Sequence, residues 1–475
     1  MNLKHKDPEI NTDNPFANCK LEREKYAEIL TSIVETYAEG FVLALDGKWG
    51  TGKSTFVKMW DASLRKAEFQ TIYFNAWEHD FENEPLTAIL GELKTLANGE
   101  ENAMIKSLIK KGVGLSKKIL PAVAKALASK YIELDEVSEI IKKSTEATLE
   151  LLEKEVDDYL KRKKGLEEFK IELERYIEKY NEDKPVVFIV DELDRCRPDY
   201  AVEILEKIKH FFSVRGIVFV LSIDKIQLGH SIQGYYGSNK IDTNEYLRRF
   251  IDLEYKLPEP NVKEFVNYLY RYYGFNEFFD EGERRRHPMF EREGERFIGF
   301  AIKLFSKYNY TLRQQEKIFA FTRIVLRSFT SHSFVFPHLF MLLIHLKGRE
   351  SEFYSGLINK TLSVQGLVDQ YERIFSIYLM EEFENDYSKE FISAEALLIS
   401  FYNNSLQQNS LIKKYIPELT IVKDGKENIG FKTNINKDKY DENLAKFIKS
   451  GENTEFYRYD LKHLLERIEL LLPLN

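Results

Sequence analysis

The chain has 475 residues, of which 43% are hydrophobic and 31% charged, with a formal net charge of −8. That size and apolar content are enough for a large core and two or more domains, and the composition is that of a soluble globular protein. The acidic balance argues against broad, nonspecific affinity for nucleic acid and leaves room only for a local basic patch.

Two cysteines, Cys19 and Cys196, provide no disulfide framework and suit a reducing compartment, the cytoplasm. No cationic segment followed by an apolar stretch opens the chain, so no secretory signal is visible. After a polar lead, Leu21 to Leu30 places apolar residues at helical spacing.

An aliphatic run, Phe41 to Leu45, then leads into Gly47-Lys48-Trp49-Gly50-Thr51-Gly52-Lys53-Ser54-Thr55, and Phe56 to Trp60 follows without a helix breaker. Strand, glycine loop and helix in that order are the elements of a phosphate-binding loop. The glycines allow a tight turn whose amides face a polyanion at a helix N-terminus. Lys53 is placed to reach the β- and γ-phosphates of a nucleoside triphosphate, and Ser54 to offer its hydroxyl to Mg²⁺.

A second strand, Thr71 to Asn75, is followed by Ala76-Trp77-Glu78-His79-Asp80. Next comes a long helical insertion, about residues 98–183. Its earlier part, Ile105 to Ala128, carries Lys106, Lys110, Lys111, Lys117, Lys118 and Lys125 among apolar positions; it reads as a solvated helix face, or as a surface for an anionic membrane or a partner. In its later part Leu149, Leu152, Val156 and Leu160 stand at helical spacing. A surface helical hairpin is favoured over a coiled-coil arm because the heptad pattern does not persist.

Pro185 to Val190 reads as a buried parallel strand ending in Asp191-Glu192-Leu193-Asp194-Arg195. Carboxylates at the C-terminal end of such a strand lie where open α/β sheets bind ligands. Asp191 is the partner for Mg²⁺, directly or through water, and Glu192 is placed to orient the attacking water or accept its proton. Asp194 is a second candidate for that job. The alternative for these acids is to cap the helix that begins near Pro198. Cys196, in the same loop, reads as a buried structural thiol.

Ile217 to Asp224 and Ile251 to Leu257, the latter stopped by Pro258, supply two further strands. Five strands separated by helical patterns imply a doubly wound parallel sheet. From about residue 261 to 475 the chain reads as mainly helical. Phe334 to Leu346 is too short for a membrane span and contains Pro337, His338 and His345, so it reads as a buried helix with both histidines in packing roles. Arg284, Arg285 and Arg286 are blunted by Glu283, Glu291 and Glu293. The acids Glu381, Glu382, Glu384 and Asp386 lack companions at ligand spacing, and no second catalytic centre is visible.

Taken together, Gly47 to Thr55, Phe74-Asn75-Ala76-Trp77-Glu78, Val190 to Cys196, Ser222-Ile223-Asp224, Glu245 to Phe250 and Thr311 to Gln314 resemble the KAP P-loop NTPases over about residues 15–320. The resemblance implies an ATPase of the additional-strand type: a three-layer α/β sandwich with a parallel sheet in 5-1-4-3-2 order. A helical insertion interrupts the core, about residues 1–260, and a mainly α-helical lid or interaction domain follows over 261–475. Many relatives carry transmembrane helices in the insertion; their absence here points to the soluble branch. The family commonly has Asp-Asp-Leu-Asp-Arg where this chain has Glu192 in second position, and the longer glutamate makes a hydrolytic role easier to accept.

The resemblance also implies roles for other residues. Asp224 would sense or orient the γ-phosphate, a helix cap being the alternative. Arg248 or Arg249 would stabilise transition-state charge in the same subunit or across an oligomer, or else form surface salt bridges. Arg313 would be a sensor arginine at a lid helix. Trp77 and Glu78 match a family motif without a role that spacing discloses. The cofactors implied are ATP and Mg²⁺, the partners a homo-oligomer and a protein carrying effector chemistry, and the setting bacterial exclusion of phage. A nucleotide-dependent scaffold with little turnover and a peripheral membrane organiser are the alternatives.

Overall fold

In the computed structural model the five apolar runs become one parallel sheet: β1 (Phe41–Asp46), β2 (Thr71–Asn75), β3 (Val186–Asp191), β4 (Ile217–Ile223) and β5 (Leu253–Lys256). The structure describes residues 6, 8–81, 85–93, 107–108, 111, 146–180, 184–211, 213–280, 282–380, 386–407, 419–423, 426–435, 438–452 and 458–471. The strand order is β2-β3-β4-β1-β5, which read from the other edge is the 5-1-4-3-2 arrangement. Register pairs Asn75 with Asp191, Asp191 with Ser222, and Asp46 with both Ile223 and Lys256. The C-terminal ends of all five strands therefore share one edge.

Alternation along the strands builds two cores, because successive side chains of a strand face opposite sides of the sheet. Leu43, Leu45, Val187, Ile189, Val218 and Val220 face α1 (Glu24–Thr36) and α2 (Lys53–Lys66), where Leu30, Phe56, Trp60 and Leu64 complete the packing. Ala44, Phe74, Phe188, Val190, Phe219 and Leu221 face the other side. There α3 (Pro85–Leu93), α4 (Glu146–Tyr180), α5 (Pro198–Phe211) and α6 (Lys225–Tyr236) contribute Ile89, Leu173, Leu205 and Leu228. Every residue of β3 and β4 is buried; helices on both faces explain why those strands are continuously apolar rather than alternating. The result is a three-layer sandwich.

The insertion contributes α4, a single helix of 35 residues whose last turns pack Phe169, Leu173, Tyr176 and Ile177 onto the sheet. Leu160 is exposed; the side chains of Leu149, Leu152 and Val156 lie outside the described residues, as does most of the lysine-rich stretch. Lys111 is described, and it pairs with Glu172 at 2.5 Å.

The chain divides into two compact units, Asp7–Glu259 and Pro260–Asn475 with Met1–Lys6. The second is helical apart from an antiparallel pair, β6 (Thr420–Lys423) and β7 (Lys426–Ile429), that the sequence reading does not contain. Its helix Pro337–Arg349 buries Leu339 to Leu346 almost completely, as the composition of that run implies. Arg284 is buried against Glu293 and beside the Phe290 ring, so the basic triplet is not a continuous patch. Residues 381–385 lie outside the described residues. Among those described, no helix is long and apolar enough to cross a membrane, and no group of histidine, cysteine and carboxylate side chains gathers at metal-ligand spacing.

Candidate nucleotide site

The P-loop joins the end of β1 to the start of α2. Gly52 adopts φ 81°, a left-handed conformation that side chains resist, and serves as the N-cap of α2. Gly47 is needed for a different reason: a Cβ there would lie 3.2 Å from Lys53 Cδ and 3.3 Å from Cγ, inside the path of the lysine stem. Thr51 Oγ1 donates back to Lys48 O at 2.8 Å and closes the loop.

Lys53 is 8% exposed and its ammonium donates to the carbonyls of Gly47 and Lys48. Burial lowers its pKa, opposed by Asp194, Asp224, Asp191 and Asp46, whose charges favour the ammonium. A cation held in the loop by several acids and two carbonyls supplies a positive point next to helix-N-terminal amides, the arrangement that binds phosphate.

The carboxylates arrive from the ends of β3 and β4, one sheet edge with the P-loop. Asp191 is buried and accepts from Tyr73 Oη at 2.7 Å and from Glu192 N at 2.9 Å. Glu192 stands in the left-handed region, φ 61° and ψ 24°, and begins the 3₁₀ turn Leu193–Arg195. Its Oε1 lies 3.4 Å from Ser54 Oγ and 2.6 Å from Arg195 Nη1, and its Oε2 lies 3.4 Å from Asn75 Nδ2. Asp194 is 5% exposed and accepts from Trp49 Nε1; burial raises its pKa, while Lys53 and the indole oppose the shift.

Asp224 combines two jobs. Oδ1 accepts from Ile226 N and Gln227 N and so caps α6, while Oδ2 accepts from Trp49 N at 3.1 Å. The cap weighed for this residue is present, and the same carboxylate ties the P-loop to β4. The helix-cap alternative for Asp191 and Glu192 is not what the structure has: the N-terminal side of α5 is held instead by Asp80, which accepts from Arg197 N and Nε at 2.9 Å.

The arginines lie elsewhere. Arg248 and Arg249 follow the short helix α7 (Thr243–Leu247) and precede β5, at the sheet edge where strands begin. The P-loop is at the other edge, one strand length away, roughly 15–20 Å. Arg248 is exposed and paired with Glu245 at 3.2 Å, and the Arg249 carbonyl accepts from Lys209. Within the subunit they are thus on the wrong edge for the γ-phosphate of its own nucleotide. Arg313 belongs to the second unit, exposed on the first turn of a helix held by a Thr311–Gln314 capping box.

Five contributors had no role assigned from sequence: Arg23, Asp46 and Tyr73, and the motif residues Asn75 and Arg195. Arg23 is 2% exposed and donates to Gly52 O at 3.1 Å and Pro258 O at 3.3 Å. Asp46 accepts from Lys225 N at 3.0 Å. Asn75 Oδ1 accepts from Trp77 N and Glu78 N, which shapes the turn carrying that motif. A polar residue at the C-terminal end of each buried strand was the available signal for Asp46 and Asn75. Trp77 is 52% exposed and lies under the Arg195 guanidinium.

The oxygens gathered at this end of the sheet are those of a hydroxyl and two carboxylates, Ser54 Oγ with Asp191 and Glu192, the hard set that suits Mg²⁺; such ions are commonly held by one or two carboxylates together with substrate phosphates. The residues present fit that ion.

A parallel sheet in this order with a glycine loop, lysine and strand-end acids on one edge defines a P-loop nucleoside-triphosphatase fold. The sequence model of the KAP family P-loop domain matches residues 23–339, and the chain belongs to that family. A search among curated proteins finds no match. Among solved structures the chain is similar to the Aeropyrum pernix ORC2 protein in its ADPNP-ADP complexes, at 14% identity and TM-score 0.29 over 91% of this chain and 95% of that one.

Proposed function

We propose that the chain binds ATP with Mg²⁺ in the P-loop unit and hydrolyses it, acting as a switch or motor whose change is passed to the helical C-terminal unit. The observation that carries this reading is the meeting of Lys53, Ser54, Asp191 and Glu192 at one sheet edge, with Ser54 Oγ 3.4 Å from Glu192 Oε1. Lys53 and the loop amides bind the phosphates; Ser54 and Asp191 hold the ion. The ion, when bound, offsets charge on the phosphate oxygens. Glu192 orients water and takes its proton, with Asp194 and Asp224 holding the surrounding loops in place.

The experiment is ATP turnover by the purified chain beside Lys53→Ala and Glu192→Gln, with and without Mg²⁺. Lys53→Ala should lose binding. Glu192→Gln should keep binding and lose turnover about 10²-fold or more. Equal rates for Glu192→Gln and the parent would remove the catalytic assignment.

Arg248 or Arg249 acts, in this reading, across a homo-oligomer on a neighbour's nucleotide, and Arg313 is the candidate sensor arginine of the second unit. Native mass with and without nucleotide tests the assembly; no change would count against the role in trans. A setting in phage exclusion, beside a partner with effector chemistry, comes from family resemblance. Its test is plating efficiency of phage on cells with the parent or Lys53→Ala. A second reading, a scaffold with little turnover, draws on the Arg195 contact that engages Glu192.

A further inference from the structure

Both carboxylate oxygens of Glu192 are engaged, and unequally. The Arg195 contact on Oε1 is 2.6 Å, whereas Ser54 and Asn75 each stand at 3.4 Å. The close contact is an ion pair between side chains only 28% and 13% exposed. It is built into the local fold. The 3₁₀ turn Leu193–Arg195 brings residues three apart into line, and the left-handed backbone of Glu192, unusual for a residue with a side chain, starts that turn.

The guanidinium also lies over Trp77, 5.5 Å from the ring centroid. The Trp77 backbone N–H in turn donates a hydrogen bond to Asn75 Oδ1 at 3.1 Å. Asn75 therefore touches Glu192 with its amide nitrogen and anchors the aromatic shelf with its amide oxygen.

In hydrolysis the water oxygen bonds to the γ-phosphorus, the bond from that phosphorus to the ADP oxygen breaks, and the water proton passes to a Glu192 oxygen before returning to the phosphate. Oε1 is the oxygen on the Ser54 side, and it is the one committed to Arg195. A charge-assisted bond of that length competes with water for the same oxygen.

We propose that Arg195 restrains Glu192, with Trp77 holding the guanidinium in place, so that turnover rises when Arg195 is drawn off. Arg195 is a positioning residue here, and the proposal rests on the hydrolytic reading above. It also gives the Trp77 motif a task.

The test uses the full chain and compares the parent with Arg195→Gln, Arg195→Lys, Trp77→Ala, Glu192→Gln and the Arg195→Gln/Glu192→Gln double variant. Turnover is measured over a range of Mg²⁺-ATP concentrations, alongside nucleotide Kd as a check that each variant is folded. Arg195→Gln should raise kcat about ten-fold with KM within about two-fold, and Trp77→Ala should act in the same direction more weakly. Arg195→Lys should stay near the parent, and the double variant should fall to the level of Glu192→Gln. An Arg195→Gln enzyme that binds nucleotide but is no faster than an active parent overturns the restraint and leaves the hydrolytic reading standing. If Arg195→Gln fails to bind, Trp77→Ala decides, and an unchanged rate there overturns the restraint. Silence of every variant, parent included, with nucleotide bound overturns both.

Discussion

The indole of Trp49 donates to the Asp194 carboxylate, so the P-loop is latched to the loop that ends β3 by a bond between two side chains 145 residues apart. The same tryptophan offers its backbone N–H to Asp224. One P-loop residue thus connects the ends of three neighbouring strands, β1, β3 and β4.

Trp49→Phe keeps the ring and deletes the latch. Asp194 is buried, and burial raises its pKa, so the deletion leaves a desolvated acid short of a donor. The expected cost is about 1–2 kcal/mol in denaturant unfolding at neutral pH, with weaker ATP binding. A group with a raised folded pKa lends stability that is complete below its unfolded pKa and lost as pH rises through the folded value. The defect should therefore shrink in mild acid; a defect that grows there would contradict the latch.

Gly47→Ala separates loop geometry from stability. The added methyl meets the Lys53 stem at 3.2 Å, and the side chain must move. Nucleotide affinity should fall about ten-fold while the unfolding midpoint barely changes. Gly52→Ala should behave in the opposite way, costing about 1–2 kcal/mol of stability because φ is 81°. Calorimetric titration and denaturant melts on the two variants distinguish these outcomes.

Arg23→Met tests the support beneath the loop. Its guanidinium bonds the carbonyls of Gly52 and Pro258, and burial pulls its pKa down to about 10 from 12.5. Removing it should destabilise the first unit by about 2–4 kcal/mol through unpaired carbonyls, and Arg23→Lys should recover part. Because the folded pKa is depressed, this group's pH-dependent stability appears only above about pH 10 and is lost as pH falls through that value. The variant's deficit should hence be flat from about pH 6 to 9; a slope there would point to another titrating group.

His345 predicts an acid limb for the second unit. It is 1% exposed, its Nδ1 lies 2.8 Å from Tyr310 Oη, and burial lowers its pKa to about 3. The native state holds the neutral ring, so the stability it contributes is present above the unfolded histidine value, about 6.5, and drains away as pH falls toward 3. His345→Gln should flatten that limb by a few kcal/mol at pH 4, at the expense of some stability at pH 7. Melting curves from pH 4 to 7 give the comparison; an unaltered slope would show that His345 does not titrate on unfolding.

Much of the nucleotide unit was legible before any coordinates. Five apolar runs became five strands, with β3 and β4 apolar because they are buried on both faces; their order was anticipated from the family resemblance, since a hydrophobic pattern does not fix which strands are neighbours. Lys53, Ser54, Asp191 and Glu192 were recognisable because a phosphate loop and a strand-end acid are short local signatures. Arg23 and Tyr73 were not, as each acts through a partner that sequence spacing does not reveal, Gly52 and Asp191, and the Arg195 pair with Glu192 depends on the left-handed backbone that starts its 3₁₀ turn. The β6–β7 pair also went unread, its strands being four residues each and mostly polar.

By itself the sequence determined the five strands of the parallel sheet, the glycine loop between β1 and α2, and which family the chain joins, because each of these depends on residues close together in the chain. Tertiary structure alone decided that Tyr73 bonds the Asp191 carboxylate from the neighbouring strand, that Asp224 ties down the P-loop, and that Arg248 and Arg249 stand on the far edge of the sheet. Those facts depend on strand order and parallel direction, which bring distant residues to one edge and carry near ones to the other.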